Sequence, residues 1–300
     1  MTTVIFLACA TTVPSSGDRR GDAFEHDLMI ASLEPAFKAK GMELRVVDWQ
    51  APLDEFEGAD FALLGTAWNY QDNAPEFLDT LEALEDRGVR VLNPPEVVRW
   101  NIAKTYLREL DEAGVRTIPT LWRESVTTKG VTEALDVFEC DRVVVKRQVG
   151  AGAEGQELVR RSSLPPADWS FGAPAMLQPF LPAIASEGEL SFIFIDGAYS
   201  HSLVKRAAKG EYRIQSLYGG TEETYQPSAD DLAAAQAVLD AVPFDTPLYA
   251  RIDMLRMDDG GEKGSLALME AELIEPYLYP VQGPQLGERL AEAIAGKLSA

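Results

Sequence analysis

The stretch Tyr249 to Tyr279, YARIDMLRMDDGGEKGSLALMEAELIEPYLY, decides how the chain is read. Two β-rich runs flank a turn at Asp258 to Gly264, and each run carries acids among apolar residues. Side chains alternate faces along a strand, so Tyr249, Arg251 and Asp253 share one face of the first run. The same alternation groups Leu266, Leu268, Glu270 and Glu272 on the second, with Ala267, Met269, Ala271 and Leu273 opposite. A hairpin about the turn sets Asp253 opposite Glu270 and Arg251 near Glu272. Three carboxylates on one face repel one another and resist desolvation unless a cation compensates them. Hard oxygens of this kind suit Mg²⁺, which is held by carboxylates together with substrate phosphates. The cluster points to an enzyme that uses a nucleotide. A solvated sheet face is the plain alternative. A calcium loop is excluded, because the alternating acids required before Gly260 are missing.

Composition narrows the field. Three hundred residues suggest about two domains with room for a real core, and 46% apolar with 25% charged residues is ordinary for a soluble protein. No apolar run reaches the ~20 residues that span a bilayer. The first residues, MTTVIFLACATTVP, lack a basic leader and read as a buried strand rather than a signal peptide. Cys9 and Cys140 form neither a disulfide framework nor a metal-ligand spacing, which fits a cytoplasmic protein. The net charge of −21 disfavours nucleic acid and anionic membrane as partners. With His26 and His201 the only histidines, His-based triads and poly-His metal sites are improbable.

Up to about residue 100, strands at Val4–Ala8, Leu44–Val47, Phe61–Leu64 and Val89–Leu92 alternate with helices at Phe24–Ala39 and Glu76–Arg87. That rhythm predicts a parallel α/β layer. Ligands of such sheets sit beyond the strand C-termini, which places the loops Ser15–Asp22 and Trp68-Asn69-Tyr70 at a binding edge. A helix is expected at Asn101–Ala113, and the remainder is strand-rich, α+β in character. Val143-Val-Val-Lys146 runs into Gly150-Ala-Gly152-Ala-Glu-Gly155, formally the spacing of a dinucleotide fingerprint. The long helix that should follow is replaced by QELVRR and Pro165-Pro166, so a β-hairpin with a glycine flap is expected. Lys146 ends a strand of valines, where a lysine is costly unless an anion joins it.

Taken in order, these motifs resemble the ATP-grasp superfamily from about Trp100 to the C-terminus. Asn101-Ile-Ala-Lys104 with Gly114-Val-Arg-Thr-Ile-Pro119 is similar to the family's lysine helix and following strand. Val143 to Lys146 with the glycine loop resembles its second lysine and phosphate flap. Leu177-Gln178-Pro179-Phe180-Leu181 resembles the adenine hinge, and Gly188-Glu189 the ribose motif. Arg251-x-Asp253 and Glu270-x-Glu272 sit where the family places its phosphate arginine and metal ligands, although many members have Asn where this chain has Glu272. HSLVKR at His201 to Arg206, EYRIQSLYGG at Glu211 to Gly220 and the MEAELIEPYLY tail resemble a narrower bacterial group. That group holds glutathione-synthetase-like ligases and the cyclo-ligases that close O-ureido-serine in cycloserine biosynthesis. The first hundred residues resemble the family's pre-ATP-grasp domain only in pattern.

The resemblance implies a parallel α/β pre-ATP-grasp domain at 1–100 on the substrate side. A central ATP-grasp subdomain with the glycine flap follows at 101–180, and a C-terminal subdomain with the metal site at 181–300. It implies ATP and Mg²⁺, two ions or with Mn²⁺ in their place, held by Asp253, Glu270 and Glu272. Lys104, Lys146, Arg213 and Arg251 would neutralise phosphates, with Gly150 and Gly152 in the flap. Gln178, Pro179, Phe180 and Leu181 would hold adenine, and Glu189 the ribose. Arg19, Asp22, Asn69 and Lys205 are the candidates facing a small amino-acid-like carboxylate. The implied chemistry is carboxylate–amine ligation through an acyl phosphate, either ring-closing or peptide-forming. A non-catalytic nucleotide-binding regulator and a nicotinamide-dependent oxidoreductase are the competing classes. A homo-oligomer is compatible with everything above.

Overall fold

The computed structural model describes residues 1–150, 155–208, 219–258 and 264–298. Gly152, Arg213 and the turn residues Asp259 to Lys263 therefore lie outside the described residues.

The apolar run of β1 (Thr2–Ala8) is buried on both faces and lies inside a parallel sheet. Its neighbours are β2 (Met42–Asp48), β3 (Phe61–Thr66) and β4 (Arg90–Leu92), in the order β2-β1-β3-β4. Helix α1 (Ala23–Ala39) lays Met29, Leu33 and Phe37 against Val4, Phe6 and Leu63. On the other face α2 (Ala74–Asp86) lays Phe77, Leu81 and Leu84 against Ile5, Leu7 and Leu64. Such two-sided cover is what all-apolar parallel strands require.

Two short helices follow, α3 (Pro95–Asn101) and α4 (Tyr106–Glu112). The single helix expected over Asn101–Ala113 is thus broken. The break has a cause: the Lys104 amide donates to the Gln148 carbonyl at 2.7 Å, and Ala103 forms a bridge with Val149. These bonds tie the residues around Lys104 to the chain just beyond Lys146.

The second sheet has the antiparallel order β5-β8-β6-β7, with β5 at Leu121–Arg123, β6 at Arg142–Arg147, β7 at Glu157–Arg160 and β8 at Ala175–Pro179. Strands β6 and β7, on either side of the glycine loop, pair antiparallel with Val145 opposite Glu157, and no helix lies between them among the described residues. Helix α5 (Thr128–Val137) seals one face with Val131, Ala134 and Leu135, and the one-turn α6 (Ala183–Ser186) follows β8. The three-residue β5 carries too little pattern to be visible in sequence.

The third sheet is antiparallel in the order β11-β10-β9-β12-β13. Its strands are β9 (Glu189–Ile195), β10 (Ala198–Arg206), β11 (Thr221–Thr224), β12 (Tyr249–Arg256) and β13 (Leu266–Glu272). One face, bearing Phe192, Phe194, Ile252, Met254 and Leu268, packs on α7 (Ala229–Asp240) together with α3 and α4. The far end of the opposite face, Ile193, Leu203 and Tyr249, joins the parallel sheet's own core. Helix α8 (Leu286–Lys297) lies beside α1 in that same core.

The β12–β13 register is Arg251 with Glu272 and Asp253 with Glu270, after which Met254 pairs with Leu268. Met269 is therefore an extra residue, a β-bulge. It corrects the expected grouping: Leu266 and Leu268 do not share the face of Glu270 and Glu272 but point into the α7 core. Ala267 and Met269 join Leu255 on the acid face instead.

The joint between the sheets is polar at one point. Asn93, buried after β4, donates to the Tyr249 carbonyl at 3.0 Å and the Leu273 carbonyl at 2.7 Å, and accepts from the Leu248 amide at 2.7 Å. Replacing it by alanine strands two buried carbonyls and one amide. Asn93→Ala should lower folding stability by about 3 kcal/mol or more, read as a drop in the urea midpoint. An unchanged midpoint would show that the joint does not depend on it.

Candidate active site

One face of the third sheet holds the site, and it is graded along the strands. Toward one end Tyr249, with Ile193 beside Arg251 and Leu203 beside Ser191, is apolar and buried against the N-terminal layer. At the other, Leu255 and Ala267 lie under Ile118, with Leu181, Ile184, Met257 and Met269 half-open around them. Between the two runs a stripe of charge. Strand pairing sets Lys205 beside Glu189, Ser191 beside Asp253, and Arg251 beside Glu272.

Asp253 is the hub of the stripe. It accepts from Ser191 Oγ at 2.5 Å, from Arg251 Nε at 3.1 Å and Nη2 at 3.0 Å, and it lies 3.3 Å from Lys205 Nζ. Lys205 also pairs with Glu189, Arg251 with Glu272, and Lys104 with Glu270. Tyr279, held at φ 51°, packs its ring 5.7 Å from both the Lys205 ammonium and the Arg251 guanidinium. Left-handed backbone at a non-glycine residue is costly, and here it aims an aromatic face at two cations.

Burial sets the ionisation of the stripe. It pushes Glu189 up to about 7 against the pull of Lys205. Burial, with Glu270 and Asp253 adding to it, pushes Glu272 up to about 7 against Arg251. Glu275, just beyond β13, is lifted to about 8 by burial and then by Glu272. Burial would raise Asp253 as well, but Arg251, Lys205 and the Ser191 bond outweigh it and hold the carboxyl below its usual range. Lys146 is depressed by burial, which Glu270 only partly offsets. Among the described residues its ammonium has no ion-pair partner.

The residues singled out from the sequence occupy this region unequally. Asp253, Glu272, Arg251, Lys205 and Glu189 form one connected network, and the Lys104–Glu270 pair stands beside it, with Glu270 opposite Asp253 in the strand register. Lys146 stands within its field, at the end of β6. Gly150 follows at the start of the flap with a φ of 154°. The Gln178 side chain is committed to Thr120 Oγ1 at 3.0 Å, and Pro179 is paired with Val143. Phe180 stacks under the Arg142 guanidinium at 4.0 Å, leaving Leu181 as the hinge side chain on the apolar patch.

In the N-terminal loops the expected candidates are bonded largely within the loops themselves. Arg19 is spent on Asp27 and on the carbonyls of Thr12 and Ala23, and Asn69 on Trp49 and Gln50. Of their neighbours, Trp68 reaches the edge of the site. Arg20, paired with Asp22, lies 5.1 Å above the Trp68 ring, and Trp68 Nε1 donates to the Glu275 carbonyl at 3.0 Å. Spacing does not single out Tyr70 or Glu275, since a lone Tyr and a lone Glu carry none; the Trp68-Asn69-Tyr70 loop and the EPYLYP run are the sequence signals that contain them.

The donor set fits a divalent cation with a polyphosphate. Glu270 and Glu272 offer hard oxygens with about a quarter of each side chain exposed, 27% and 29%. Asp253, at 2%, is enclosed by its partners. Among the described residues no group of three His, Cys, Asp or Glu could hold a metal ion by itself.

A pH dependence follows. Glu189, Glu272 and Glu275 bind protons in the native state that the unfolded chain releases, so their contribution is present at low pH and lost as pH climbs through 7 to 8. His201, depressed to about 4 by burial, works in the opposite direction, but only below its ordinary range. Between pH 6.5 and 8 the melting temperature of the ligand-free protein should therefore fall, and Glu275→Gln should flatten the fall. Thermal melts across that window check it, and an equally steep fall in the variant refutes the assignment.

With the geometry in place, the likeness to known proteins can be stated. Residues 4–93 match the family described as D-cycloserine synthetase DcsG, N-terminal domain. The cycloserine biosynthesis protein DcsG of Streptomyces lavendulae is 28% identical over 294 residues, covering 91% of this chain and 94% of that protein. The crystal structure of D-cycloserine synthetase DcsG superposes with a TM-score of 0.82 at 25% identity, over 99% of both chains. The ATP-grasp ligase PsnB, solved with a precursor variant, Mg and ADP, shares the fold at a TM-score of 0.67 and 16% identity, over 99% of this chain and 98% of that one. No helix among the described residues is long and apolar enough to cross a membrane. The chain has the fold of ATP-grasp ligases and resembles D-cycloserine synthetase DcsG along nearly its whole length.

Proposed function

We propose that the chain uses ATP and Mg²⁺ to close O-ureido-serine into the isoxazolidinone ring of cycloserine. The observation that carries this reading is the reach of the likeness. It extends through residues 4–93, whose Trp68 bonds the Glu275 carbonyl just beyond β13, and is not confined to the nucleotide-binding part.

In this reading Glu270 and Glu272, with Asp253 behind them, hold the metal, which supplies charge neutralisation at the transferring phosphoryl group. Lys104, Lys146 and Arg251 orient the phosphates, and Arg213, outside the described residues, belongs with them. The apolar patch at Leu181, Leu255, Ala267 and Met269 takes the base, and Glu189 the ribose. A carboxylate oxygen of the substrate accepts the γ-phosphoryl group and ADP departs. The nitrogen bonded to the side-chain oxygen then attacks the acyl carbon, forming the ring C–N bond as the C–O bond to phosphate breaks. The carbamoyl group on that nitrogen leaves by hydrolysis as carbon dioxide and ammonia. The protein's share is positioning and electrostatics, together with exclusion of water from the acyl phosphate.

Two expectations follow. Purified protein should release ADP with Mg²⁺ and O-ureido-serine and yield cycloserine by mass spectrometry; ADP release only when a second amino acid is supplied would instead indicate a peptide-forming ligase. Glu270→Gln should cut ADP release by about 100-fold or more with an unchanged melting temperature. Near-normal turnover in that variant would remove the metal role.

A further inference from the structure

Most charged groups of the stripe are already matched: Lys104 to Glu270, Arg251 to Asp253 and Glu272, Lys205 to Glu189 and Asp253. Two are not. The Lys146 ammonium is accounted for by phosphates. The Glu275 carboxyl makes no ion pair and meets no side-chain donor among the described residues; only its own backbone N–H reaches it. Beside it stands Tyr70, 6% exposed, whose hydroxyl likewise has no partner among the described residues, and for which Glu275 is the strongest charged neighbour. Neither belongs to the fully enclosed side-chain atoms left without a partner, so the half-buried Glu275 carboxyl and the Tyr70 hydroxyl keep free hydrogen-bonding capacity at the edge of the cleft, open to a polar group of a ligand.

Position says what that is. Glu275 is fixed through its own carbonyl by Trp68 Nε1, so the turn after β13 and the N-terminal loop form one wall. Arg20 lies against the face of the same tryptophan. The wall faces Glu272 and Glu270, where the phosphoryl group would be delivered, from the side of the N-terminal layer. A second cation-binding carboxylate there, combined with a hydroxyl that can accept or donate, matches a primary ammonium next to a carboxylate.

Resting on the reading above, we propose that Glu275, with Tyr70 beside it, binds the α-ammonium of the amino-acid substrate and so selects α-amino acids over des-amino carboxylates. Glu275 is a specificity residue in this scheme; it does not touch the transferring phosphoryl group. The ammonium relieves the repulsion that Glu272 imposes on an ionised Glu275. It also fixes which carboxylate oxygen points toward the metal ligands.

The test measures ADP release with O-ureido-serine, with other α-amino acids, and with the des-amino analogue of each, in the wild type and in Glu275→Gln and Tyr70→Phe. Wild type should favour the ammonium-bearing member of the pair it turns over by about 50-fold or more in kcat/KM. In Glu275→Gln the ratio should collapse to within about 5-fold, through a raised KM for the amino acid, with KM for ATP and the Mg²⁺ dependence unchanged. Tyr70→Phe should move the ratio in the same direction by less. A ratio that survives in Glu275→Gln, or a variant whose defect is repaired by excess Mg²⁺, overturns the proposal; the latter would make Glu275 a metal ligand. If another α-amino acid is used and O-ureido-serine is not, the ring-closure reading fails. The Glu275 assignment then stands or falls on the same ratio for that other substrate. Turnover of none of them overturns both.

Discussion

The hub at Asp253 is the constraint on which the rest of the structure depends. A carboxylate 2% exposed is tolerable only because Ser191 and Lys205 reach it from β9 and β10 and Arg251 from its own strand. Removing one partner from such a set leaves an uncompensated buried charge, which costs on the order of 3–5 kcal/mol. The sheet must therefore keep β9, β10 and β12 in one register, since the bonds run across all three. Charge neutrality in the ligand-free state is met internally, acid by base. The imbalance that remains lies where ligands enter: carboxyls pushed toward neutrality at Glu272 and Glu275, and an ammonium pushed the same way at Lys146.

Apolar packing makes this polar stripe affordable to hold in place. The α7 core grips the sheet from behind, and the core shared by β1, α1 and α8 grips one end of its front. Side chains bridge what the cores leave. Asn101 pairs with both the Ala271 carbonyl and the Leu273 amide, and the Tyr106 hydroxyl accepts from the Ala271 amide. Those bonds fix the strand edge that presents Glu270 and Glu272. They belong to the short helices around the break that carries Lys104, so the lysine and the acids it meets are set by the same few residues.

Much of this was legible in the sequence. Alternation of strand and helix up to Leu92 announced the parallel sheet, because both faces of β1 and β3 are covered and their apolar runs are continuous. The acid hairpin and the ordered lysines were visible because charges within apolar strands are rare enough to be informative. What sequence concealed was directional. Arg19 and Arg20 are adjacent, and nothing local says that Arg19 turns inward to carbonyls while Arg20 faces Trp68. The helix break at Ile102 to Thr105 arises from a long-range bond to Gln148, which no local propensity encodes. Glu275 gains its meaning only from the Trp68 loop, some 200 residues away in sequence.

The bulge at Met269 can be seen as a phase shift. A strand is a wave of period two, and one inserted residue moves it by half a period. Leu268 and Glu270, which alternation counts as equivalent, thereby enter different media: one the dry α7 core, the other the charged cleft. The same shift lets a single hairpin serve two chemistries in succession, carboxylates at its open end and an apolar floor of Leu255, Ala267 and Met269 toward its turn. Hairpin length alone could not achieve this, because every unshifted register would continue either acids or aliphatics along the whole face. One residue out of step is what separates the phosphate end of the groove from its greasy end.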